Sequence, residues 1–550
     1  MKIGKSLVLL ATSLAIALAI AATPNLMSGQ STINLNNLDI RVERPDRIRE
    51  PQAPTSSNCY DGKDNFFNEI AIGSGTTAGT FYGYTANGYK NTQNENSTVA
   101  STCVTSGTQV YNMSGPVTGA AYGGNPDNSG TAFSSCGLWL DGSYKSGSTY
   151  YGFSHAEGYG TSTYGPVCDY PPTTKSMALL TSSDAKSWTL QEQIISNPSA
   201  HSPDDSEYGE GDCTPVPFSS YVYLYCRRTQ DTQTSVARAS STSTFGPSAW
   251  LKYYQGSFSS AWDGSDDPLG LYGNSASIFA NYGNIMLLRT ELGGTGIQGV
   301  AMSFSTSSDG TQFATVPEPI LYEIAYPFPY GSTTSDLVAY PSVVSSTDGS
   351  RTWSGFFLLT YTYVPNNLES GAAGAPDGHN GRTLVMRNVS VAEETTAQVP
   401  RVGVALSRWS SSAIGQRISS TEPVPYNFAT AGFTYETKTG YIMTVAPSNG
   451  PSTELWECQN LTWPSTTNPD HTLTFANSSE CSGSGATYVK LREAGWLYSA
   501  NDPQPANTVP VYRCESTASG YTSGTHFTST SSTCEGLGAP QYLLGYGLAN

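Results

Sequence analysis

Carboxylates, cations and polar side chains occur together near several predicted strand ends in the middle of the chain. The carboxylates that we predict to be catalytic are Asp212, Glu157 and Glu291. The side chains that we predict to bind substrate are His155, Arg227, Arg289, Asn274 and Tyr340. A pair of carboxylates can split a glycosidic bond, because one protonates the leaving oxygen while the other attacks or activates water. Neighbouring cations would tune the pKa of both acids.

Each candidate also has a structural alternative. Asp212 and Arg227 could form an ion pair that only holds a hairpin in register. Glu157 and His155 share the stretch Ser-His-Ala-Glu and could simply be solvated, and Glu291 precedes Leu-Gly-Gly and could begin a loop. We predict neither a metal site nor a cofactor, since the chain has five histidines and lacks a Cys-x-x-Cys motif.

A repeated unit of antiparallel strands positions these residues from about residue 116 onward. The predicted strand pairs are 136–140 with 149–155, 212–218 with 221–227, 273–280 with 285–291, 340–344 with 356–362, and 430–435 with 441–446. Third strands follow at 176–181, 235–240, 299–304 and 382–387, with 453–458 as a candidate for the fifth. Such repeats predict an all-β chain whose residues 116–460 form a five-bladed β-propeller. The start of each inner strand then lies at the same mouth as the end of the next strand.

The second unit allows its register to be predicted. If Ser219 and Ser220 form a two-residue turn, Cys213 faces Cys226, Val216 faces Tyr223, and Asp212 faces Arg227. Opposed cysteines are close enough to form a disulfide. Pro215 and Pro217 fall in the first strand of this pair, which indicates an edge strand such as the innermost strand of a blade.

The chain on either side of the repeats has other signatures. Lys2, Lys5 and the apolar run 7–22 predict a signal peptide over residues 1–22, with a retained anchor as the alternative. No later stretch is apolar enough to span a membrane, so we expect none in a mature, soluble chain. Residues 23–57 are predicted to be a linker, and residues 58–115 an N-terminal segment that could close the propeller with an outer strand.

Composition limits the class of partner and the compartment. The net charge is −17 and only 13% of residues are charged, which argues against nucleic acid because a phosphate binder needs a basic face. All ten cysteines follow the predicted signal. Their even number favours disulfides in a secreted, extracellular protein.

The repeated units resemble the five-bladed propeller glycoside hydrolases, the clan of arabinanases, arabinofuranosidases and β-xylosidases. The resemblance covers about residues 130–455 and lies in 211–216 (GDCTPV), 235–240 (SVARAS) and 250–256 (WLKYYQG). It implies three carboxylates at the mouth, acting as base or nucleophile, pKa modulator and acid. Asp212 matches the inner-strand aspartate of one blade. Where another aspartate should open the first blade stand Ser135 and Cys136, so Glu157 or Glu291 would supply the missing acid.

The end of the chain is similar to a repeat of unknown function that is appended to exported bacterial proteins. The matching stretches are 491–496 (LREAGW), 511–514 (VYRC), 524–528 (GTHFT) and 544–546 (LGY). We therefore expect a small disulfide-bonded, β-rich module over 461–550, with Cys458–Cys481 and Cys514–Cys534 as local pairs. The stretch 455–458 could belong to an earlier copy or to the fifth blade. His471 and His526 fit structural positions of the repeat, and the pairing of Cys59, Cys103, Cys136 and Cys168 stays open.

These features lead to three hypotheses of function. The first is a secreted carbohydrate-active protein that hydrolyses a polysaccharide or oligosaccharide. The second is a non-catalytic propeller that binds a glycan or a protein. The third is a sialidase-like enzyme, because Asp184 and Asp309 lie in turns that resemble Asp boxes, although such an enzyme needs an arginine triad and usually six blades. Two carboxylates about 5–9.5 Å apart across the mouth would favour an enzyme. The oligomeric state is open.

Overall fold

The computed structural model is all-β apart from short 3-10 turns at Leu35–Asn37, Ala132–Ser134, Pro247–Ala249 and Cys534–Gly536. The residues that the structure describes are 33–49, 67–71, 80–85, 89–91, 95–97, 101–106, 109–114, 132–134, 137–159, 173–183, 188–197, 207–271, 275–281, 283–292, 298–322, 337–344, 351–364, 383–393, 401–421, 432–460, 470–482 and 486–549. In these ranges there is no helix long and apolar enough to cross a membrane.

Five groups of antiparallel strands among the described residues, which we number as blades I to V, make up the larger part of the molecule. The first strand of the chain is β1 (Leu38–Arg49), which joins blade V. Blade I contains β2 (Phe67–Ala71), β3 (Thr80–Thr85), β6 (Ser101–Ser106) and β7 (Gln109–Ser114), beside a ribbon of β4 (Tyr89–Asn91) and β5 (Glu95–Ser97). Blade II contains β8 (Gly137–Ser146), β9 (Thr149–Tyr159), β10 (Thr173–Ser182) and β11 (Thr189–Ile195).

Blades III to V follow in chain order. Blade III contains β12 (Glu207–Phe218), β13 (Tyr221–Arg228), β14 (Thr234–Ser240), β15 (Leu251–Tyr254) and β16 (Ser257–Ala261). Blade IV contains β17 (Ser275–Phe279), β18 (Asn284–Leu292), β19 (Gln298–Ser305), β20 (Phe313–Thr315) and β21 (Leu321–Tyr322). Blade V contains β22 (Leu337–Val344), β24 (Phe356–Val364), β25 (Thr383–Glu393) and β1, while the short β23 (Thr352–Trp353) pairs with β17 of blade IV.

The five innermost strands close a ring. Strand β8 contacts β2 and β12, β17 contacts β12 and β22, and β22 contacts β2. Between the sheets lie apolar cores, with Phe153, Leu179 and Trp250 between blades II and III, and with Val216 and Ile278 between blades III and IV. The predicted five-bladed propeller is therefore confirmed. Its first four predicted units are blades II to V.

The position of the fifth blade was predicted wrongly. Residues 67–114 supply it as blade I, whereas the expected hairpin of 430–435 and 441–446 is one continuous strand, β28 (Thr434–Met443). Gly440 in Lys438-Thr439-Gly440 has a φ of 116°. In the sequence, Gly440 suggests a turn between two strands. In the structure, it lets β28 continue and pass close to Val509 and Leu548.

The C-terminal module begins earlier than predicted, at Arg401, and comprises three copies of a three-stranded unit. The copies are β26 (Arg401–Ser411), β27 (Gln416–Ser420) and β28; β29 (Ser452–Asn460), β30 (Asp470–Phe475) and β31 (Val489–Tyr498); and β32 (Thr508–Ser516), β33 (His526–Ser529) and β34 (Gly538–Leu548). In each copy the first strand pairs with the other two. The stretch 455–458 therefore belongs to the module and not to a blade. Leu406, Leu455 and Val511 occupy equivalent places in one shared core.

Part of the predicted linker is a strand that joins the propeller to the module. In β1, Leu38, Ile40 and Val42 are fully buried and alternate with polar residues, the period of a strand. One edge of β1 pairs antiparallel with β25 and the other edge pairs in parallel with β26. Glu43 also accepts hydrogen bonds from Lys438 Nζ at 2.9 Å. The predicted signal peptide lies outside the described residues.

The described residues contain three disulfides, Cys213–Cys226, Cys458–Cys481 and Cys514–Cys534, and each was predicted. The first joins the two inner strands of blade III, and the other two each close a loop within one copy of the module. Cys59, Cys136 and Cys168 lie outside the described residues, and of Cys103 only the backbone is described, so the pairing of these four stays open.

Candidate functional site

A β-bulge at the start of β12 sets the position of Asp212. The ladder between β12 and β13 pairs Gly211 with Arg227 and resumes with Thr214 opposite Tyr225. Asp212 and Cys213 are left between these pairs, and Asp212 has a φ of 52°. The predicted pairing of Asp212 with Arg227 is therefore wrong by one residue, because the bulge inserts an extra residue. Bulges of this kind re-aim a side chain out of the sheet.

The same one-residue bulge recurs in two other inner strands. In β8 it falls at Asp141, between Leu140 and Gly142. In β22 it falls at Tyr340, between Ala339 and Ser342, and Tyr340 has the same φ of 52° as Asp212. Three blades thus present a side chain at an equivalent bulge, and in two of them that side chain is an aspartate.

His155 on β9 links the bulge of blade III to a second carboxylate. The amide of Asp212 donates to His155 Nδ1 at 3.1 Å, so Nδ1 holds a lone pair and Nε2 carries the proton. Nε2 lies 3.3 Å from Glu157 Oε1 and donates to it. The imidazole lies directly on Gly211, where a Cβ would overlap the ring. His155 is 5% exposed and both of its ring nitrogens are engaged by Asp212 and Glu157. Its predicted role in binding substrate stays a prediction.

Asp141 is a buried acid directly behind Asp212. Its Oδ2 accepts from the amide of Cys213 at 3.1 Å, while Oδ1 has no hydrogen-bond partner among the described residues. Oxygens of Asp141 and Asp212 and a ring nitrogen of His155 lie within 4.8 Å of one another. Burial raises the pKa of Asp141 well above its usual value, and the nearby charge of Asp212 raises it further.

Cations flank the two more exposed acids. Arg227 Nη1 lies 3.9 Å from Asp212 Oδ2, and the Arg227 side chain is 40% exposed. Lys175 Nζ lies 3.9 Å from Glu157 Oε1. Both separations are long for an ion pair, and both acids keep partly exposed side chains. Asp212, Glu157, His155 and Arg227, which the sequence places near one rim, are thus neighbours in space.

A buried ion cluster supports the strand that precedes the bulge. Glu210, two residues before Asp212, receives the ammonium of Lys252 at 2.7 Å, and Lys252 also contacts Asp266 at 2.9 Å. Asn197 of blade II donates to Glu210 at 3.1 Å. All four side chains are buried, and the carboxylates hold the Lys252 charge in place although burial lowers the pKa of Lys252. The cluster anchors β12 to its neighbours and to the loop after β16.

The remaining predicted residues are not brought to this cluster by the contacts described. Tyr340 takes the equivalent bulge on blade V, and Arg289 is half-buried on β18 opposite Ala301. Glu291 lies near the end of β18 opposite Gly299, with only its backbone described. Asn274 lies outside the described residues. Asp309 lies in a turn where Ser307 and Thr311 hydrogen-bond its carboxylate and lower its pKa, which is a structural role.

Asp141 is the carboxylate of this cluster that the sequence analysis did not single out. The missing acid of the first repeated unit was sought at Ser135 and Cys136, at the predicted start of the strand. Counted back from the turns, at Gly147 and at Ser219, Asp141 and Asp212 are six and seven residues away, so alignment on the turns would have placed them within one residue of each other. Turn geometry sets hairpin register, which makes the turn the better reference point.

The cluster fits proton transfer better than metal ligation. His155 Nδ1 is already an acceptor and Nε2 already a donor, so neither nitrogen has a lone pair to give to an ion. Two neighbouring carboxylates in different surroundings differ in proton affinity, which is the arrangement that acid–base catalysis uses.

Comparisons with known proteins give distant structural matches only. No protein-family model matches the chain, and no curated protein matches it. Among solved structures, an α-L-arabinofuranosidase from Lactobacillus brevis is 11% identical, with 59% of this chain and 90% of that chain covered and a TM-score of 0.34. A family 117 glycoside hydrolase from Zobellia galactanivorans is 12% identical, with coverages of 66% and 93% and a TM-score of 0.38.

A third match is an α-L-arabinofuranosidase from Podospora anserina, 11% identical, with 65% of this chain and 98% of that chain covered and a TM-score of 0.36. The solved structures that the chain resembles are thus glycoside hydrolases. The similarity is too low to carry substrate or residue roles from one chain to another. The propeller is established by the strand order and the closed ring of inner strands described above.

Proposed function

We propose that this is a carbohydrate-active protein that hydrolyses glycosidic bonds in a polysaccharide or oligosaccharide. The observation that carries the proposal is the carboxylate cluster of Asp212, Glu157 and Asp141 at the bulges and strand ends of two neighbouring blades. Asp212 and Glu157 lie on opposite sides of the His155 imidazole, within 3.4 Å and 3.3 Å of its nitrogens. A separation of one imidazole ring suits a pair of carboxylates that act on one glycosidic bond.

The surroundings of each acid support a division of roles. Asp212 is the acid or base that meets the sugar, and Asp141 behind it modulates its proton affinity through their mutual repulsion. Glu157 is the second carboxylate, oriented by the proton on His155 Nε2. Arg227, with its exposed guanidinium beside Asp212, would hydrogen-bond sugar hydroxyls, and Tyr340 would offer an aromatic face. Glu291 stays a candidate for a further acid.

An assay of the purified full chain on aryl-glycosides and polysaccharides tests the proposal. We expect Asp212→Asn and Glu157→Gln each to lower kcat/KM by roughly 100-fold or more on any substrate that the protein cleaves, because each removes a group that transfers a proton or attacks. The matched control is Glu192→Gln on the outer strand β11, which should leave the rate unchanged. Wild-type rates in both mouth variants would contradict the assignment.

A second candidate is a propeller that binds a glycan without cleaving it. The cation beside each exposed acid favours it, because Arg227 offsets the charge of Asp212 and Lys175 offsets that of Glu157. In that case the protein would bind a polysaccharide in an affinity assay, Asp212→Asn would weaken the binding, and no substrate would be turned over.

We further propose that the protein is secreted and works outside the cell. The apolar run after Lys2 and Lys5 supports export, and three disulfides within the folded part support an oxidising compartment. Expression in the native host, with N-terminal sequencing of protein from the medium, tests this. A start near residue 22 or 23 is expected, and an intact N-terminus in the cell fraction would contradict it.

A further inference from the structure

Arg351 belongs to the segment between β22 and β23 and is fixed to blade IV. Its carbonyl accepts from the amide of Ile278 at 2.8 Å, and the next two residues run parallel to Ile278 and Phe279. Trp353 stacks on Phe279 at 4.1 Å and donates to Ser277 at 3.1 Å. These contacts hold the backbone of Arg351, whose φ is 57°, against the inner strand of blade IV.

The side chain of Arg351 extends from blade IV to Gly142 in β8 of blade II. Its Nη2 lies 3.1 Å from where a Cβ on Gly142 would stand, and Gly142 follows Asp141 in β8. On the other side of Gly142, Pro215 of β12 would lie 2.5 Å from the same Cβ. Blade II is not adjacent to blade IV or to blade V in the ring. The guanidinium, which is 97% buried with the rest of the residue, therefore reaches β8 through the central channel.

The polar side chains that surround Asp141 come from three blades. Asp212 of β12 is the like charge, His155 of β9 is the neutral imidazole, and Arg351 is the cation. Burial and Asp212 raise the pKa of Asp141, whereas the amides of Cys213 and His155 and the charge of Arg351 oppose them. Arg351 is thus the positive charge that acts on the carboxylate pair from inside the channel, while Arg227 acts on Asp212 from the exposed side.

We propose that Arg351 is a positioning residue, whose charge beside Gly142 acts on Asp141 from across the channel and thereby sets the charge shared by Asp141 and Asp212. This inference rests on the proposed function, because it assigns the carboxylate pair to the reaction. It also explains the glycine at 142, since any side chain there would displace either the guanidinium or Pro215.

The test compares Arg351→Met, which removes the charge, with Arg351→Lys, which keeps it, in the full chain. The measurements are the thermal midpoint and kcat/KM, each as a function of pH. Without the cation, Asp141 should bind its proton more tightly, so the pH at which stability stops falling and the pH of the linked limb of kcat/KM should both move up. Arg351→Lys should stay close to wild type, and Arg351→Gln replaces the Met variant if that variant does not fold.

Two backgrounds separate this effect from simple loss of packing. In Asp141→Asn, adding Arg351→Met should produce no shift in pH dependence, because the titrating group is gone. Arg387→Met is the matched buried control, since Arg387 is fully buried but donates to the neutral oxygens of Tyr361 and Thr421. It should lower the thermal midpoint without moving the pH dependence.

The outcomes distinguish this proposal from the proposed function. A shifted stability profile in a protein that cleaves no glycan would support the coupling of Arg351 to Asp141 and remove the proposed hydrolysis. Hydrolysis with unshifted profiles in Arg351→Met would overturn the Arg351 assignment and leave the hydrolysis standing. An equal shift in the Asp141→Asn background would also overturn it, because the proton would then belong to another group.

Discussion

Buried carboxylates occur in both parts of the molecule, and their surroundings differ. In the module, Asp470 accepts from His526 Nδ1 at 2.7 Å, from the His526 amide at 2.9 Å and from Tyr488 Oη at 2.7 Å. Glu457, which is fully buried, accepts from Ser420 Oγ at 2.8 Å and lies 3.3 Å from His471 Nδ1. In the propeller, Asp141 meets backbone amides, those of Cys213 and His155, and faces another carboxylate. These buried acids of the module have hydrogen-bond donors for their charge. In the propeller, by contrast, Asp141 lies beside a second carboxylate, and its Oδ1 has no hydrogen-bond partner among the described residues.

This difference supports the site that we propose for catalysis. Satisfied buried charges fix one arrangement of the chain and gain nothing from changing their protonation. An acid held beside a like charge has a perturbed proton affinity, which catalysis uses and stability does not. The contrast therefore favours the proposed site at the mouth between blades II and III, and a structural role for the charges between copies of the module.

The two parts also repeat themselves differently. Gly440, Gly495 and Gly545 take equivalent places in the three copies of the module, each with φ between 116° and 151°. The blades repeat the bulge but change its occupant, from Asp141 to Asp212 to Tyr340. In the module, both the backbone conformation and the residue type at this position are repeated. In the propeller, the bulge is repeated but the side chain at the bulge changes.

The largest expected effect tests the satisfied acid of the module. Asp470→Asn places an amide N–H2 group against donors and removes the charge that holds His526. Because breaking a buried pair leaves unmatched polar groups, we expect a loss of about 3 kcal/mol or more in the free energy of unfolding, measured by urea denaturation. The matched control is Asp502→Asn on a partly exposed loop of the same module, within about 0.5 kcal/mol of wild type. An equally small loss in Asp470→Asn would remove the contrast.

The next effect compares glycines from the two parts. A Cβ at Gly495, where φ is 123°, would overlap Ile442 and lie 2.6 Å from the carbonyl oxygen of Met443, so Gly495→Ala should cost about 2–4 kcal/mol. At Gly211 the Cβ meets the His155 ring, which can move. Gly211→Ala should therefore cost less stability in urea unfolding but should lower activity by displacing His155.

Gly520→Ala separates strain from overlap in this comparison. Gly520 has a φ of 87° and open space around its Cβ position, so it reports the conformational cost alone, about 1 kcal/mol. If Gly495→Ala lowered the free energy of unfolding no more than Gly520→Ala, the close approach of Gly495 to Ile442 and Met443 would not contribute to stability. If Gly211→Ala kept full activity, His155 would not position the acids.

The sequence predicted the repeating strands well and the ends of the repeat poorly. Alternating apolar residues and turn pairs give the hairpins of blades II to V, because these are local signals. The location of blade I and the role of β1 depend on pairing between segments hundreds of residues apart, which local pattern does not show. The alternation at Leu38, Ile40 and Val42 was nevertheless readable as a strand.

The candidate site was predicted in part for the same physical reason. Asp212, Glu157, His155 and Arg227 follow from the antiparallel register of single hairpins. Asp141 and Arg351 do not, because one is moved by a bulge and the other is brought across the channel by ring closure. Bulges change the register by one residue, and that residue decides which side chain faces the mouth.

The smallest expected effect is that of Asp141→Asn. It is the same aspartate-to-asparagine change as Asp470→Asn, but it should raise the free energy of unfolding instead of lowering it. The pKa of Asp141 is raised in the folded chain, so between the unfolded and folded pKa values the folded state binds more protons than the unfolded state, and stability falls as pH rises through that window. Asp141→Asn mimics the protonated acid and removes this slope. We expect a gain on the order of 1 kcal/mol in unfolding free energy at pH 7 and little change near pH 4, measured by urea denaturation at both pH values. A loss at pH 7 similar to that of Asp470→Asn would mean that Asp141 is a satisfied structural acid, and the distinction between the two parts of the molecule would fail.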